Sequence, residues 1–319
     1  MKSKSFATAI CLSVSLVTTG AMAQAYPVRP VTIVVPASPG GSTDAVGRVF
    51  AKFMEPRIKQ PVIIENRSGA GGYVGGSAVA RANPDGYTLL FAPDVILYSN
   101  LFIKDQRVLS QELLPIAAVG SSPFAIVANS KLPVKTMRDF IAFIKANPGK
   151  HNYGAVGGTT VQLETNAFIR SNGLDMVEIP YPDTAGPVRA LASNTIQFFW
   201  SPITTLKAIL DTGAGVGLAV TSERRQPLAP DIPTTGEQGI NVVYNVNNGL
   251  FGPLNVPKDI VDLLNRVSNE ITSGAEGKAM LAKFGYESVT ADPAEIARQI
   301  AASSKRYTEI AASIGLKPQ

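Results

Sequence analysis

Residues 31–44 constrain the fold of this chain more than any other segment. They begin with the run VTIVV, which is typical of a strand buried on both faces of a parallel sheet. The loop ASPGG ends the strand, and residues 42–44 (STD) supply capping oxygens where a helix begins. Because the first N–H groups of a helix are unpaired, this loop favours an anion, especially a carboxylate. The alternative interpretation is an ordinary strand-to-helix turn with good capping.

The same order of strand, glycine-rich loop and helix occurs twice more. Residues 61–65 predict a second strand followed by the loop RSGAGG, and a strand from residue 151 leads into the loop AVGGTT. Successive β-loop-α-β segments predict right-handed parallel α/β units. Ligands of open α/β sheets bind at the carboxyl ends of the strands, so two such units indicate a ligand cleft between two lobes.

Proline sets two of the predicted element boundaries. Pro56 is expected to stop the first helix, whose periodic part runs over residues 43–54. The apolar segment 116–128 is expected to be interrupted by residues 121–123 (SSP).

The first residues predict a secretory leader. Lys2 and Lys4 precede an apolar run, and residues 21–23 (AMA) form a cleavage site before Gln24. We therefore expect residues 1–23 to be removed and the mature chain to begin near Gln24 and lie outside the cytoplasm. The run is shorter than the roughly 20 apolar residues that span a bilayer.

Composition argues against several classes of site. Cys11 is the only cysteine and lies in the leader, which leaves no disulfide, thiolate metal site or cysteine nucleophile. His151 is the only histidine, which argues against a Ser-His-Asp triad or a histidine-rich zinc site. Loss of Lys2 and Lys4 reduces the 29 basic residues to 27, against 24 acidic residues, too balanced for a nucleic-acid-binding protein. We expect no metal, no cofactor and no nucleic-acid partner.

No catalytic motif is evident. Residues 69–76 resemble a dinucleotide fingerprint, but Val74 stands where the last glycine is required. Asp44 and His151 are candidate bases, and fixing the loop or a surface position is the alternative for each. The sequence therefore predicts a binding site with no catalytic residue and no enzymatic activity.

Three further residues have two interpretations each. Arg67 reaches a ligand carboxylate or pairs with Glu65. Trp200 and Tyr181 line a pocket or fill the core.

Long stretches of the chain resemble one family. YPVRPVTIVVPASPGGSTD, QPVIIENRSGAGGYVG and ANPDGYTLL resemble the start of the Bug family, the TctC-like substrate-binding proteins of tripartite tricarboxylate transporters. Further matches are LPVKTMRDFIAFIKANPGKHNYG, LAVTSERRQPLAPDIPTTGEQG and GLFGPLNVPKDIVDLLN. The resemblance covers essentially the whole mature chain. It implies a two-lobed α/β fold of the type II periplasmic-binding (Venus flytrap) class, each lobe a mainly parallel sheet flanked by helices.

The resemblance also implies where the lobes begin and end. Residues 25–123 and 250–319 would form the first lobe, and residues 124–249 the second. The chain would cross between them near residues 122–124 and 248–251.

In this family the ligand carboxylate is held largely by backbone amides and ordered waters. The loops that match are residues 37–44, 68–73 and 157–160. We expect the ligand-binding residues to be Ala37, Ser38, Pro39, Gly40, Gly41, Ser42, Asp44, Ser68, Gly69, Ala70, Gly71, Gly72, Tyr73, Pro93, Asp94, Gly157, Gly158, Thr159, Thr160, Tyr181, Asp183, Thr184, Ala185 and Ser201.

The second lobe departs from the family pattern. Residues 161–162 (VQ) stand where many relatives carry paired histidines, and residues 181–183 (YPD) where they carry Tyr-Lys-Gly. Gln197 and Ser201 match two positions that are acidic in many members. Because the second lobe reads the part of the ligand away from its first carboxylate, we expect an aromatic or less charged acid.

The resemblance implies a monomeric periplasmic solute-binding protein that delivers a small organic acid to the membrane components of a tripartite tricarboxylate-type transporter. Closure of the lobes would exclude water and strengthen the hydrogen bonds to the ligand. One alternative is a sensing module that presents the bound acid to a membrane receptor. The other is a secreted hydrolase or isomerase that uses Asp44 or His151.

Overall fold

The computed structural model describes residues 26–181, 183–240 and 242–318. Nowhere in these ranges is a helix both long and apolar enough to cross a membrane. The predicted leader, residues 1–23, lies outside the described residues.

Strands and helices alternate along most of the chain. The strands are β1 Val31–Val35, β2 Val62–Asn66, β3 Thr88–Pro93, β4 Leu113–Asn129, β5 Asn152–Val156, β6 Val177–Tyr181, β7 Phe198–Pro202, β8 Gly215–Val220, β9 Asn245–Pro253 and β10 Glu287–Ser288. The α-helices are α1 Ser42–Ile58, α2 Tyr73–Ala80, α3 Leu109–Glu112, α4 Met137–Ala146, α5 Thr160–Ser171, α6 Ala185–Ala192, α7 Ile203–Asp211, α8 Lys258–Ser273, α9 Ala275–Lys283 and α10 Pro293–Ser313. Short 3-10 helices are formed by Ala70–Gly72, Asp94–Leu101 and Gly236–Gln238.

The strands form two halves with the same internal order. The first half has the order β2-β1-β3-β9-β4 and the second has the order β6-β5-β7-β4-β8. In each half the first three strands are parallel, and the strands beyond them pair antiparallel. The predicted α/β class with two mainly parallel, helix-flanked sheets is confirmed.

The first strand is buried on both faces, as its β-branched sequence predicts. Val31, Ile33 and Val35 pack into the core beneath α1 and α8, whereas Val34 packs into the core on the opposite face. This arrangement places the end of β1, and the glycine-rich loop that follows it, at the carboxyl edge of the sheet.

The predicted interruption at residues 121–123 is wrong, because β4 runs through them. This strand pairs with β9 up to Pro123 and with β7 from Phe124 onwards, so it passes from the first sheet into the second. Its register shifts between Pro115 and Ala117 and between Ala118 and Gly120. Such irregularities bend the strand. Pro123 is the last residue of β4 that pairs with β9, and the next residue pairs with β7, so the missing N–H falls where the strand changes partners.

The predicted end of the first helix at Pro56 is also wrong. Helix α1 contains Pro56 and continues to Ile58, followed by Lys59 in a left-handed conformation. Proline removes one helical hydrogen bond, but Met54 and Ile58 on either side of it are buried and hold the last turn against the core.

One apolar core continues through both halves. It contains Leu90 of the first sheet and Phe198 of the second. Where the halves meet, Phe124 packs edge-to-face on Tyr244, with ring centroids 4.8 Å apart. Trp200 lies in the same core and is buried, so of its two interpretations the core-filling one is correct.

Candidate functional site

The first two glycine-rich loops lie side by side at the carboxyl edge of the first sheet. Strands β1 and β2 are parallel neighbours, so the loops after them leave the sheet at the same edge. A Cβ added at Gly75, in α2, would lie 2.9 Å from Pro36 Cβ and 2.9 Å from the Arg67 carbonyl oxygen. Glycine at this position allows the second loop and its helix to approach the first loop closely.

Helix α1 begins without a side-chain cap. Its N-cap residue is Gly41, which has no side chain, and residues 42–44 lie inside the first helical turn. The prediction that these residues cap the helix is therefore wrong. The N–H groups of Ser42 and Thr43 have no hydrogen-bond partner within the described ranges, and Ser42 is exposed. The amino terminus of α1 thus presents free donors to solvent, with the positive end of the helix dipole behind them.

Asp44 holds this loop in place. One of its oxygens accepts hydrogen bonds from Gly40 N–H and Arg48 Nε, each 2.9 Å long, and the other accepts one of 2.8 Å from Asn66 Nδ2. The Arg48 guanidinium, helped by these hydrogen bonds, lowers the pKa of the buried Asp44 carboxyl to about 2. The loop-fixing interpretation of Asp44 is confirmed, and a fully hydrogen-bonded carboxylate with so low a pKa is a poor general base.

The second loop presents donors in a different way. Ala70 and Gly71 have positive φ angles of 46° and 64°, and Gly69 O accepts the N–H of Gly72 at 3.0 Å. Arg67 turns away from the loop and pairs with the half-exposed Glu65 at 2.7 Å. Of the two interpretations of Arg67, the pairing with Glu65 is confirmed.

The third loop differs from the first, because side chains accept hydrogen bonds from two of the backbone N–H groups at the start of α5. Thr159 caps α5 by accepting the N–H of Gln162 at 3.3 Å. The Gln162 side chain then accepts the N–H of Gly158 at 3.0 Å and donates to Glu178 at 2.7 Å. The hydroxyl of Thr160 is buried and shares a hydrogen bond of 2.8 Å with Tyr244. The spacing Thr159-x-x-Gln162 is a capping-box signal that could have been read from the sequence.

The remaining predicted residues of the second half lie near the carboxyl ends of its parallel strands, the edge at which ligands of such sheets bind and which we call the ligand edge. Asp183 is exposed and accepts the N–H groups of Ala185 and Gly186. Tyr181 is partly buried and packs against Gly186. Ser201 lies near the carboxyl end of β7, with its buried hydroxyl unpaired among the described residues.

Gln197 and His151 lie at the other end of the second sheet. Gln197 precedes β7 and accepts the N–H of Asn152, which is the first residue of β5. Since parallel strands start at the edge opposite the ligand loops, Gln197 is not at the ligand edge as the departure from the family pattern had suggested. His151 packs against Phe143, and burial lowers its pKa, as does the neighbouring Lys150. Its position agrees with the surface interpretation and argues against a catalytic role.

Asp94 follows β3 directly and faces the crossing strand β9. Its carboxylate accepts the backbone N–H of Asn247 at 3.2 Å and its side-chain amide at 2.9 Å. Loss of hydration nevertheless raises the pKa of Asp94 to about 6. Asn247 is 153 residues away in the sequence, so no local signal could have revealed this contact.

The chain matches known proteins over nearly its whole length. Residues 46–316 match the family described as the tripartite tricarboxylate transporter family receptor, TctC. BugT of Bordetella pertussis is 32% identical over 304 residues, which cover 92% of each chain.

Solved structures show the same similarity. The periplasmic binding protein BugD is 28% identical with a TM-score of 0.73, and the match covers 92% of this chain and 100% of that one. An R. palustris protein solved with adipate is 27% identical with a TM-score of 0.76, over 92% and 100% of the two chains. The two-lobed fold and the resemblance read from the sequence are therefore confirmed, and this chain belongs to the TctC family of receptors of tripartite tricarboxylate transporters.

Proposed function

We propose that this protein captures a small organic acid between its two halves in the periplasm and delivers it to the membrane components of a tripartite tricarboxylate transporter. The observation that carries the proposal is the uncapped amino terminus of α1, which presents unpaired N–H groups at the exposed ligand edge. We take residues 1–23 as the leader, residues 25–123 and 250–319 as the first lobe and residues 124–249 as the second.

The first half would hold a carboxylate without a cationic side chain. The donors of Ser42 and Thr43 lie at the positive end of the α1 dipole, and the second loop adds the N–H groups of Ala70 and Gly71. The neighbouring cations are occupied, since Arg48 pairs with Asp44 and Arg67 with Glu65. Backbone amides therefore supply the affinity for the carboxylate in this proposal.

The second half would bind the less charged end of the ligand. Gln162 occupies one donor of the third loop, and none of the residues predicted to contact ligand in this half is cationic. Asp183 is the charged member of that set, and it would repel a second carboxylate. These features favour a monocarboxylic acid, with an aromatic or other uncharged distal group, over a dicarboxylic acid.

A thermal-shift screen of ligand-stripped mature protein tests this function. The panel contains mono-, di- and tricarboxylates and aromatic acids. At a concentration about 100-fold above Kd, a ligand stabilises the folded state by about 2.7 kcal/mol, or a few degrees in Tm. We expect the largest increase with monocarboxylic or aromatic acids.

The methyl ester of each active acid is the matched control. It keeps the distal group but lacks the charged carboxylate, so it should leave Tm unchanged. Equal stabilisation by acid and ester would contradict the proposed carboxylate grip. A flat screen of protein shown to be folded would contradict an acid as the ligand class.

A further inference from the structure

The C-terminal helix α10 contacts both halves of the molecule. Its middle part packs on the first sheet, where Ile300 and Ser303 line a small cavity together with Ala117 and Gly120 of β4. Further along, Tyr307 packs edge-to-face on Tyr98 of the segment after β3, with ring centroids 4.9 Å apart. On this face α10 belongs structurally to the first half.

The residue before Tyr307 reaches the second half. Arg306 donates two hydrogen bonds to Glu164 of α5, 2.8 Å long from Nε and 2.7 Å from Nη2, one to each carboxylate oxygen. The Glu164 side chain is 2% exposed, and that of Arg306 is 49% exposed. Both oxygens of Glu164 bond to Arg306, whose guanidinium therefore balances an almost fully buried charge.

The position of Glu164 connects this pair to the ligand edge. Glu164 lies one helical turn after Thr160, the last residue of the third loop. Tyr98 belongs to the segment that begins with Asp94, at the ligand edge of the first half. Arg306 therefore contacts the ligand-edge segment of the second half through Glu164, and Tyr307 contacts that of the first half through Tyr98.

The Glu164–Arg306 pair connects α5 and α10 beside a cavity. Glu164 and Arg306 line a cavity of about 480 Å³ between α10 and residues 222–226. The ion pair spans from α5 to α10 at the wall of this cavity. Ala311 of α10 and Leu163 of α5 belong to the same apolar core, which holds the two helices together, and the planar bidentate pair also fixes their mutual orientation.

We propose that Arg306 is a positioning residue, which through Glu164 fixes α5 and its loop at one orientation relative to the first half. The ion pair fixes this orientation in addition to the crossing strand β4, and it persists in the open and closed states. Without it, α5 is free to adopt several orientations and the two ligand edges are no longer aligned. This inference rests on the two-lobed arrangement of the proposed function and is independent of the identity of the ligand.

The test measures the distance between the halves in the protein without ligand. Since the only cysteine lies in the predicted leader, Lys52→Cys in α1 and Arg189→Cys in α6 provide two unique, exposed sites for spin labels. Double electron–electron resonance spectroscopy should give a narrow distance distribution for the parent, which is the protein that carries only these two cysteine substitutions. We expect Arg306→Met to broaden it and shift it to other distances, and Arg306→Lys, which cannot form the bidentate pair, to give an intermediate width.

Arg48→Met is the matched control. Arg48 and Asp44 form a pair with side-chain exposures of 47% and 3%, but both residues belong to α1. Breaking that pair should leave the distance between the halves unchanged, which separates positioning from a general loss of stability.

The double variant Glu164→Gln/Arg306→Met covers the case in which Arg306→Met does not fold, because it leaves no lone buried charge. Its distribution should also be broad. A parent-like distribution in the folded double variant, or in folded Arg306→Met, overturns the proposal. Because no ligand is added, either result stands whether or not the captured molecule is an acid.

Discussion

Gly41 is the residue on which the proposed carboxylate grip most directly depends. Its φ and ψ of −71° and 166° suit any residue, and an added Cβ would lie 3.3 Å from the Ser38 carbonyl oxygen, a close contact that needs a small shift of the loop. We predict that Gly41→Val abolishes ligand-induced stabilisation, because a branched side chain would cover the free donors of α1. Valine is a poor N-cap, so Tm without ligand should fall by a few degrees, for a cost of about 1 kcal/mol. Isothermal titration and thermal unfolding measure the two effects separately.

Arg67→Ala is the comparison for Gly41→Val at the same edge. Arg67 already pairs with Glu65, and both side chains are about half exposed, so its removal should weaken binding only slightly. Loss of binding in folded Arg67→Ala protein would mean that side-chain charge holds the carboxylate, and the backbone account would be wrong.

Asp94 gives the folded protein a pH dependence opposite in sign to that of most aspartates. Its pKa is about 6 in the folded chain, above the value of about 3.9 in an unfolded one. Between these two pH values the folded state binds the proton more tightly, so this group makes the free energy of unfolding fall as pH rises. We predict that Asp94→Asn raises Tm relative to the parent at pH 7.5 and has a smaller effect at pH 4.5. A Tm difference that is the same at both pH values would contradict this account.

At the scale of elements, the sequence predicts the strands and loops that depend on adjacent residues, but not the pairing of segments that are far apart in the chain. The β1 strand and the loop before α1 follow from residues adjacent in sequence, and the prediction placed both correctly. Helix α1 continues beyond Pro56 because burial of Met54 and Ile58 stabilises the last turn by more than the one missing hydrogen bond costs. Strand β4 runs through Pro123 because its partners, β9 and β7, are supplied by distant parts of the chain.

The amino termini of α1 and α5 show that two similar glycine-rich loops can differ in how their backbone N–H groups are paired. By sequence alone, the loops before α1 and α5 are predicted to be equivalent sources of backbone donors. In the structure α1 is uncapped, whereas Thr159 and Gln162 cap α5. That difference was present in the sequence as Thr159-x-x-Gln162. The pairing of Glu164 with Arg306, 142 residues apart, had no sequence signal.

At the scale of the whole molecule, the connections between the halves limit how they can move. Strands β4 and β9 pair along the border between the two sheets, and α10 lies across it. Strand β4 is continuous through the border, whereas β9 begins at Asn245 opposite Pro123, so a change in the relative orientation of the halves bends β4 there. Movement between the halves is therefore expected to be a rotation about this crossing.

The exposed ligand loops make this rotation necessary for tight binding. Residues 38–42, 67–71 and 157–158 are all exposed in the structure, so an acid bound to one half alone would remain hydrated. Closure removes water and strengthens each N–H···carboxylate bond, and a ligand shifts the population towards the closed form by its extra affinity for that form. We predict that small-angle X-ray scattering gives a smaller radius of gyration with a stabilising acid than without it.

The Gly41→Val variant with the same acid is the control for closure. It should keep the radius of gyration of the free protein, because it cannot hold the carboxylate that draws the halves together. Identical scattering profiles for the parent with and without acid, where calorimetry shows saturation, would contradict closure and mean that the acid binds to an already closed molecule. In that case the exposed loops would have to bind a hydrated carboxylate, and each hydrogen bond would contribute less to affinity than in a closed site.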